Sequence, residues 1–306
     1  MHVTKVADHI YLVDVEAGGI KNFIASYVLK GEKTAIIETG PTSSTSNLLL
    51  GLKKLGIASE DVAYVAVSHI HLDHGGGAGS LIKHLPKAKI IVHQRGAPHL
   101  ANPEKLWEQS KMVLGSIADI YGKPEPVPIE KIVATSDGDE IDLGEGVVLR
   151  IIETTGHASH HQSYYEASGK AVFPGDAAGI YLSEIGVVVP TTPLPFRMDI
   201  ALASIEKLKQ IEPKLLLYSH FGKADDAEAK LQAYADQLRL WAQIAYEGIK
   251  EGQRLEAISK RIVDADESIQ KALKYIEAHA ILSKTVFDQS MYGVVDFVEK
   301  FDIASV

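Results

Sequence analysis

The chain contains no cysteine. Disulfides and thiolate ligands are therefore excluded, and any bound metal must be held by histidine or carboxylate. It also lacks any apolar run of the length needed to cross a bilayer. Met1-His2-Val3-Thr4-Lys5 does not begin like a secretory leader. Together these absences lead us to expect a cytoplasmic protein that needs no membrane. Positive charge is in short supply: 31 Lys and Arg face 40 Asp and Glu, a net charge of -9. That balance argues against a nucleic-acid partner. There is no internal repeat, no low-complexity segment and no G-x-x-x-x-G-K-S/T phosphate loop, and the Gly75–Gly79 stretch does not fit G-x-G-x-x-G. What remains is ordinary for a globular chain: 306 residues, 46% hydrophobic and 23% charged. That length suits one large domain, or a core domain with a smaller companion.

One stretch dominates what is present. Ser68-His69-Ile70-His71-Leu72-Asp73-His74-Gly75-Gly76-Gly77 places three histidines and an aspartate within six positions. The preceding Val62-Ala63-Tyr64-Val65-Ala66-Val67 is short, apolar and β-branched, which predicts a buried strand. A short helix is predicted over 78–85. The cluster thus falls on a loop at the C-terminal end of a strand, where open α/β sheets carry their sites. In extended chain, residues two apart share a face, so His69 and His71 point the same way. Asp73 and His74 follow the turn of the chain and face a second nearby point. Imidazole and carboxylate together suit zinc, iron or manganese.

The same arrangement recurs along the chain. Strands are predicted over 10–15, 23–29 and 34–37, the last closing at Glu38-Thr39-Gly40-Pro41, with a helix following over 45–55. A strand over 89–93 leads into 96–130, whose helical spacing through Leu106, Trp107, Val113, Leu114, Ile117 and Ile120 marks either an inserted flap or a helix pair over the sheet edge. Further strands over 132–133, 139–144 and 147–153 end at Thr154-Thr155-Gly156-His157. The strand at 162–165 and the segment Ala171-Val172-Phe173 lead to Pro174-Gly175-Asp176. After a helix over 199–210, a strand over 214–218 ends at Ser219-His220. Hence His69, His71, Asp73, His74, His157, Asp176 and His220 all lie just beyond strand ends, and strand ends on one sheet edge converge in space.

The ordered pattern HxHxDH, Gly-His, Gly-Asp, Ser-His resembles the metallo-β-lactamase fold hydrolases over about the first 222 residues. The resemblance implies an α/β fold, an αβ/βα four-layer sandwich of two mixed β-sheets flanked by helices. It also implies a dinuclear metal site at one edge: His69, His71 and His157 on one ion, Asp73, His74 and His220 on the other, Asp176 bridging. Zinc is the default, with iron or manganese as alternatives. Two sites depart from the pattern. Relatives usually carry Asp where this chain has Glu38, the acid that supports the ligands from behind. In Thr155-Gly156-His157-Ala158-Ser159-His160-His161, His161 matches the later family histidine. His160 stands in place of a glycine and either narrows the site or points outward.

The chemistry implied is hydrolysis by a hydroxide held between two divalent ions. Asp73, a ligand able to accept a hydrogen bond from it, is the expected orienting group. Tyr181 is a candidate oxyanion donor, with a core role as its alternative. Flavodiiron-type relatives carry Glu where His71 stands, which argues against oxygen or nitric oxide reduction. The flap segment Pro103-Glu104-Lys105, with Glu108, makes no basic arm for RNA. Glyoxalase II-like and lactonase-like hydrolases of small thioesters, esters and lactones remain, with a phosphoester hydrolase, or a metal-binding protein of weak activity whose helical tail binds a partner, as alternatives. Gly186 to Phe196, with three prolines, is either an apolar pocket wall or a buried crossover. After Gly222 the pattern turns helical: 224–249, 255–263, 267–280 and 281–297. We expect a catalytic domain over 1–222 and a helical subdomain over 223–306 that caps the pocket or forms a homodimer. In glyoxalase II-like relatives such helices help bind glutathione through basic residues, and here Lys223, Lys230 and Arg239 are either candidates for that role or solvated surface.

Overall fold

The computed structural model describes residues 2–285 and 287–301. Met1, Val286 and 302–306 lie outside the described residues, and with them parts of the leader reading and of the predicted helical tail.

Seven strands form the first sheet in sequence order: β1 (Val3–Lys5), β2 (Ile10–Asp14), β3 (Ala25–Leu29), β4 (Thr34–Ile37), β5 (Val62–Ala66), β6 (Lys89–His93) and β7 (Ile132–Thr135). β1 to β4 pair antiparallel and β4 to β7 parallel, so the sheet is mixed. The second sheet is built from β8 (Glu140–Asp142), β9 (Val148–Glu153), β10 (Gln162–Glu166), β11 (Ala171–Phe173), β14 (Leu215–Tyr218) and β15 (Gly222–Ala224). Its β11–β14 pair is parallel and the other pairs antiparallel. A separate hairpin joins β12 (Ile180–Leu182) to β13 (Val187–Val189).

Alternation decides what each sheet buries. Ala25, Tyr27 and Leu29 of β3 and Ala35 and Ile37 of β4 face Leu149, Ile151, Tyr164, Phe173 and Leu217 across the sandwich. The rings of Tyr27 and Phe173 meet edge-on at 5.2 Å. The opposite faces, including Val28, Ile36, Val65, Val172 and Leu216, belong to a second core that the helices complete. α1 (Thr45–Lys54) and α2 (Ala78–Ile82) lie against the first sheet. The expected four-layer αβ/βα sandwich is what the chain forms.

The 96–130 segment, read from sequence as a flap or a helix pair, holds three helices: α3 (Ala97–Ala101), α4 (Glu104–Leu114) and α5 (Ser116–Tyr121). Asn102-Pro103 and Gly115, at φ 56° and ψ -125°, separate them. α6 (Met198–Gln210) packs on α7 (Ala227–Lys250), whose buried stripe includes Leu231, Tyr234, Leu238 and Trp241. α8 (Leu255–Ala265), α9 (Glu267–Ala278), α10 (Leu282–Thr285) and α11 (Phe287–Lys300) follow, and α11 returns to α7. These helices share one hydrophobic core with the outer faces of the sheets. α11 also latches the proline-rich segment: Ser290 Oγ donates to the Pro190 carbonyl (2.9 Å), and Thr192 Oγ1 donates to the Ser290 carbonyl (2.7 Å).

Candidate metal centre

Four strand ends deliver the polar cluster. β5 leads into His69, His71, Asp73 and His74, β9 into His157, β11 into Asp176, and β14 into His220. The loop carrying the first four closes on itself so tightly that a Cβ at Gly76 would overlap the Leu72 carbonyl, which only glycine avoids. Hydrogen bonds tie the two sheets together at this edge. Gln162 N–H donates to the Ser68 carbonyl (2.9 Å), and Tyr164 Oη donates to the Val67 carbonyl (2.8 Å).

The side chains converge in three overlapping groups, each with ligand-type atoms within 4.8 Å of one another: His69, His71 and His157; His69, His74 and Asp176; Asp73, His74 and His220. Most of the ring orientations are set from behind. His157 Nδ1 donates to the Thr191 carbonyl (2.9 Å) and His220 Nδ1 to the Phe23 carbonyl (3.2 Å), leaving both Nε2 atoms turned inward. His74 Nδ1 lies 3.2 Å from Glu38 Oε1, and its Nε2 lies 3.3 Å from Asp176 Oδ1. Glu38 itself is buried. It also receives Ser219 Oγ (3.1 Å) and Ser68 N–H (3.3 Å), so the longer acid fills the supporting role. His161 takes no inward position: its Nε2 accepts the Asp176 N–H (3.1 Å), and its Nδ1 meets Thr154 Oγ1 (2.9 Å). Gly175 leaves room for that ring, since a Cβ there would stand 2.6 Å from His161 Nε2.

The electrostatics are those of a site short of positive charge. Burial, then the neighbouring His157 and His160, pulls His71 down to about 3, so its ring is neutral. Burial also lowers His69 and His157. Asp73 is pushed up by burial, but His74 and His220 outweigh that and hold it at about 2. Asp176 is held well below the usual carboxylate range by His74 and His157, again against burial. His74 is driven the other way, upward, because Asp176, Glu38 and Asp73 together outweigh its burial. Meanwhile His71 Nδ1 faces both His69 Nε2 (2.8 Å) and His157 Nε2 (3.2 Å). Neutral rings carry one N–H each, so such a cluster of lone pairs calls for a shared cation. His74 Nε2 and Asp176 Oδ1, buried 3.3 Å from each other and with no further hydrogen-bond partner among the described residues, point the same way. The donor set therefore fits a divalent ion.

A family model described as the metallo-beta-lactamase superfamily matches residues 20–220. The chain belongs to the metallo-beta-lactamase superfamily. The metallo-beta-lactamase fold-containing protein ST1585 of Sulfurisphaera tokodaii is 33% identical over 201 residues, covering 64% of this chain and 72% of that protein. The crystal structure of ST1585 from Sulfolobus tokodaii aligns at a TM-score of 0.65 with 28% identity, over 76% of this chain and 86% of that one. An N-acyl homoserine lactonase from Bacillus sp is 28% identical over 191 residues, 61% of this chain and 66% of that protein. At 20% identity and a TM-score of 0.64, the metallo-beta-lactamase family protein TTHA1429 from Thermus thermophilus shares the fold over 89% of this chain and 94% of its own. Metallo-beta-lactamase superfamily members are in general metal-dependent hydrolases, and here the His and Asp groups able to bind metal stand at the expected sheet edge.

A cavity of about 520 Å³ opens over these metallo-beta-lactamase-type groups. His71, Asp73, His157, Asp176 and His220 form its floor, while Leu106, Met112 and Val113 of α4, Pro193 to Pro195, and Ile281 and Leu282 form its walls. Both the 96–130 segment and the proline-rich segment thus serve as pocket wall, although Val187 to Val189 are spent on the β13 strand. His160, open to two readings from sequence, lines the cavity: its ring lies 5.8 Å from that of His71 and 6.2 Å from that of His69. Tyr181 does not. Its ring packs on Tyr218 at 5.2 Å under the Lys230 ammonium, and only its backbone engages the site, through the His220 carbonyl and Phe221 N–H. Lys223, Lys230 and Arg239 pair with Asp225, Asp226 and Asp236, and none of the three lines the cavity. Sequence reasoning missed His99, Phe23 and Gln289 in the lining, whereas Thr191 lies in the 186–196 segment read as a possible pocket wall. His99 and Gln289 sit on predicted helical stretches with no ligand spacing to mark them, and Thr191 and Phe23 act through backbone carbonyls.

Proposed function

We propose that the protein is a hydrolase of small, uncharged esters or lactones bearing an apolar portion, working with two divalent ions, zinc by default. The observation that carries this reading is the cavity lining: ligand-capable His and Asp on the floor, apolar walls, and no Lys or Arg among the described lining residues. The carboxylates of a glutathione thioester would lie over the walls, away from the ions, where no cationic side chain of the described lining would offset their desolvation, whereas a phosphoester's charge would be met by the ions and is separated by the test below. The similarity to an N-acyl homoserine lactonase supports the lactone arm of the proposal.

His69, His71 and His157 would hold one ion, and Asp73, His74 and His220 the other, with Asp176 between them. Ions bound there supply Lewis acidity, which acidifies water and polarises a carbonyl. The chain's own residues do the rest. Asp73, kept ionised by His74 and His220, accepts a hydrogen bond from the attacking water and fixes its direction at the ester carbon. Glu38, through His74 Nδ1, and the Thr191 and Phe23 carbonyls, through His157 and His220, keep the imidazoles aimed. The apolar walls exclude water from the acyl portion of the substrate and orient it over the floor.

The test is metal content by elemental analysis, run beside hydrolysis of a neutral lactone, a thioester of glutathione and a phosphodiester, with and without chelator. About two ions per chain and chelator-sensitive turnover of the lactone are expected. Faster turnover of the phosphodiester would overturn the substrate class, and fewer than one ion after reconstitution would overturn the site.

A further inference from the structure

The metal-capable groups account for five of the polar side chains on the cavity floor and leave two lining imidazoles without a task, His99 and His160, of which His160 stands beside the rings of His69 and His71. His160 is half-buried in the wall beside His71 and His69, belongs to none of the three ligand groups, and forms no hydrogen bond through its ring among the described residues. Its Nδ1 is sealed from solvent and has no partner. An N–H sealed without an acceptor is costlier than an unpaired lone pair, so the ring proton belongs on the other nitrogen. That leaves Nε2–H as the donor the ring can offer to the cavity. Of the other polar lining side chains outside the metal groups, Gln109 is exposed and His99, Ser110 and Gln289 are half-buried as His160 is. Outside the metal groups only His160, among the described residues, brings a sealed, unpartnered polar atom to the lining.

We propose that His160 is a specificity residue of this site, donating from Nε2 to a neutral acceptor oxygen of the substrate, a carbonyl or amide, placed beside the reacting ester. The inference rests on the hydrolase reading above and narrows it to substrates with a second uncharged acceptor near the scissile group. A neutral donor in an otherwise apolar wall rewards a matching oxygen and penalises its absence, since the imidazole would then be desolvated without a partner.

The experiment uses the metal-loaded full chain, wild type against His160→Ala and His160→Gln. Gln is chosen because its side-chain amide reaches close to the Nε2 position. Four quantities are read: metal ions per chain, the kcat and the KM for an α-acylamino lactone, and the Kd by calorimetry for the corresponding lactam, which is not cleaved. We expect H160A to keep the wild-type metal content, to raise KM about tenfold with a smaller loss in kcat, and to weaken lactam binding about tenfold, with H160Q recovering most of both. Equal lactam affinity in wild type and H160A, in a wild type that turns the lactone over, overturns this inference alone. Loss of metal from H160A overturns it as well, by making the residue a support of the metal groups. A wild type that neither cleaves esters or lactones nor binds the lactam overturns the hydrolase reading and this inference together.

Discussion

At the scale of single residues, Glu38 shows how a one-methylene change is absorbed. Its backbone sits at a positive φ of 67°, and its carboxylate reaches His74, Ser68 and Ser219 at once. Removing it leaves the Ser219 hydroxyl buried without its acceptor and His74 Nδ1 with only the Ser68 hydroxyl at 3.4 Å. Glu38→Ala is expected to weaken metal uptake by roughly 10- to 100-fold, measured by competition with a chromogenic chelator, as for other residues that orient ligands. Affinity equal to wild type would show that Glu38 does not aim His74. Asp176 makes a sharper case, since two ligand-facing histidines lie within 3.5 Å of its carboxylate. Asp176→Asn is expected to lose at least one ion per chain while remaining folded by circular dichroism.

At the scale of elements, the site depends on how strands are tied at one edge. Tyr164 of β10 reaches across the sandwich to the Val67 carbonyl, and it accepts from Gln162 Nε2 (2.7 Å). Tyr164→Phe strands both partners in the dry space between the sheets. We expect a loss of about 1–3 kcal/mol in urea unfolding, the usual cost of a buried group left unpaired. Among the helices, Trp241 of α7 is fully buried, and its Nε1 donates to Asp266 Oδ2, while Asp266 Oδ1 caps the start of α9. Trp241→Ala removes packing and a fixed cap together, and about 3–5 kcal/mol of destabilisation is expected by the same measurement.

At the scale of the whole molecule, the site gathers Asp73, Asp176 and Glu38 around His74, which they drive upward, and beside His69, His71 and His157, which burial lowers. An ion that binds only the folded chain stabilises it by mass action, by about 4 kcal/mol when present at a thousand times its Kd. Chelation is therefore expected to lower the melting temperature by several degrees, read by calorimetry with matched metal-replete samples. A melting temperature indifferent to chelator would speak against an ion among these groups. No described helix is long and apolar enough to cross a membrane.

The sequence by itself determined the strands that end in ligand-type residues, because period-two burial and the HxHxDH spacing are local properties of the chain. It also determined the layered α/β architecture, through the run of strands and helices and the family pattern. Local pattern underdetermined placement in two segments: the 96–130 stretch, read as a flap or a helix pair, is divided into three helices at Pro103 and Gly115, and the proline-rich stretch, read as pocket wall or crossover, has Val187 to Val189 paired as a strand. Only the tertiary structure decided which ring nitrogen faces inward, since that depends on carbonyls such as Thr191 and Phe23 that any residue type supplies. It alone turned Tyr181 away and His160 in, because the direction of a loop side chain follows from what packs behind it. And it alone kept lysine and arginine out of the described lining, by seating Lys223, Lys230 and Arg239 against Asp225, Asp226 and Asp236.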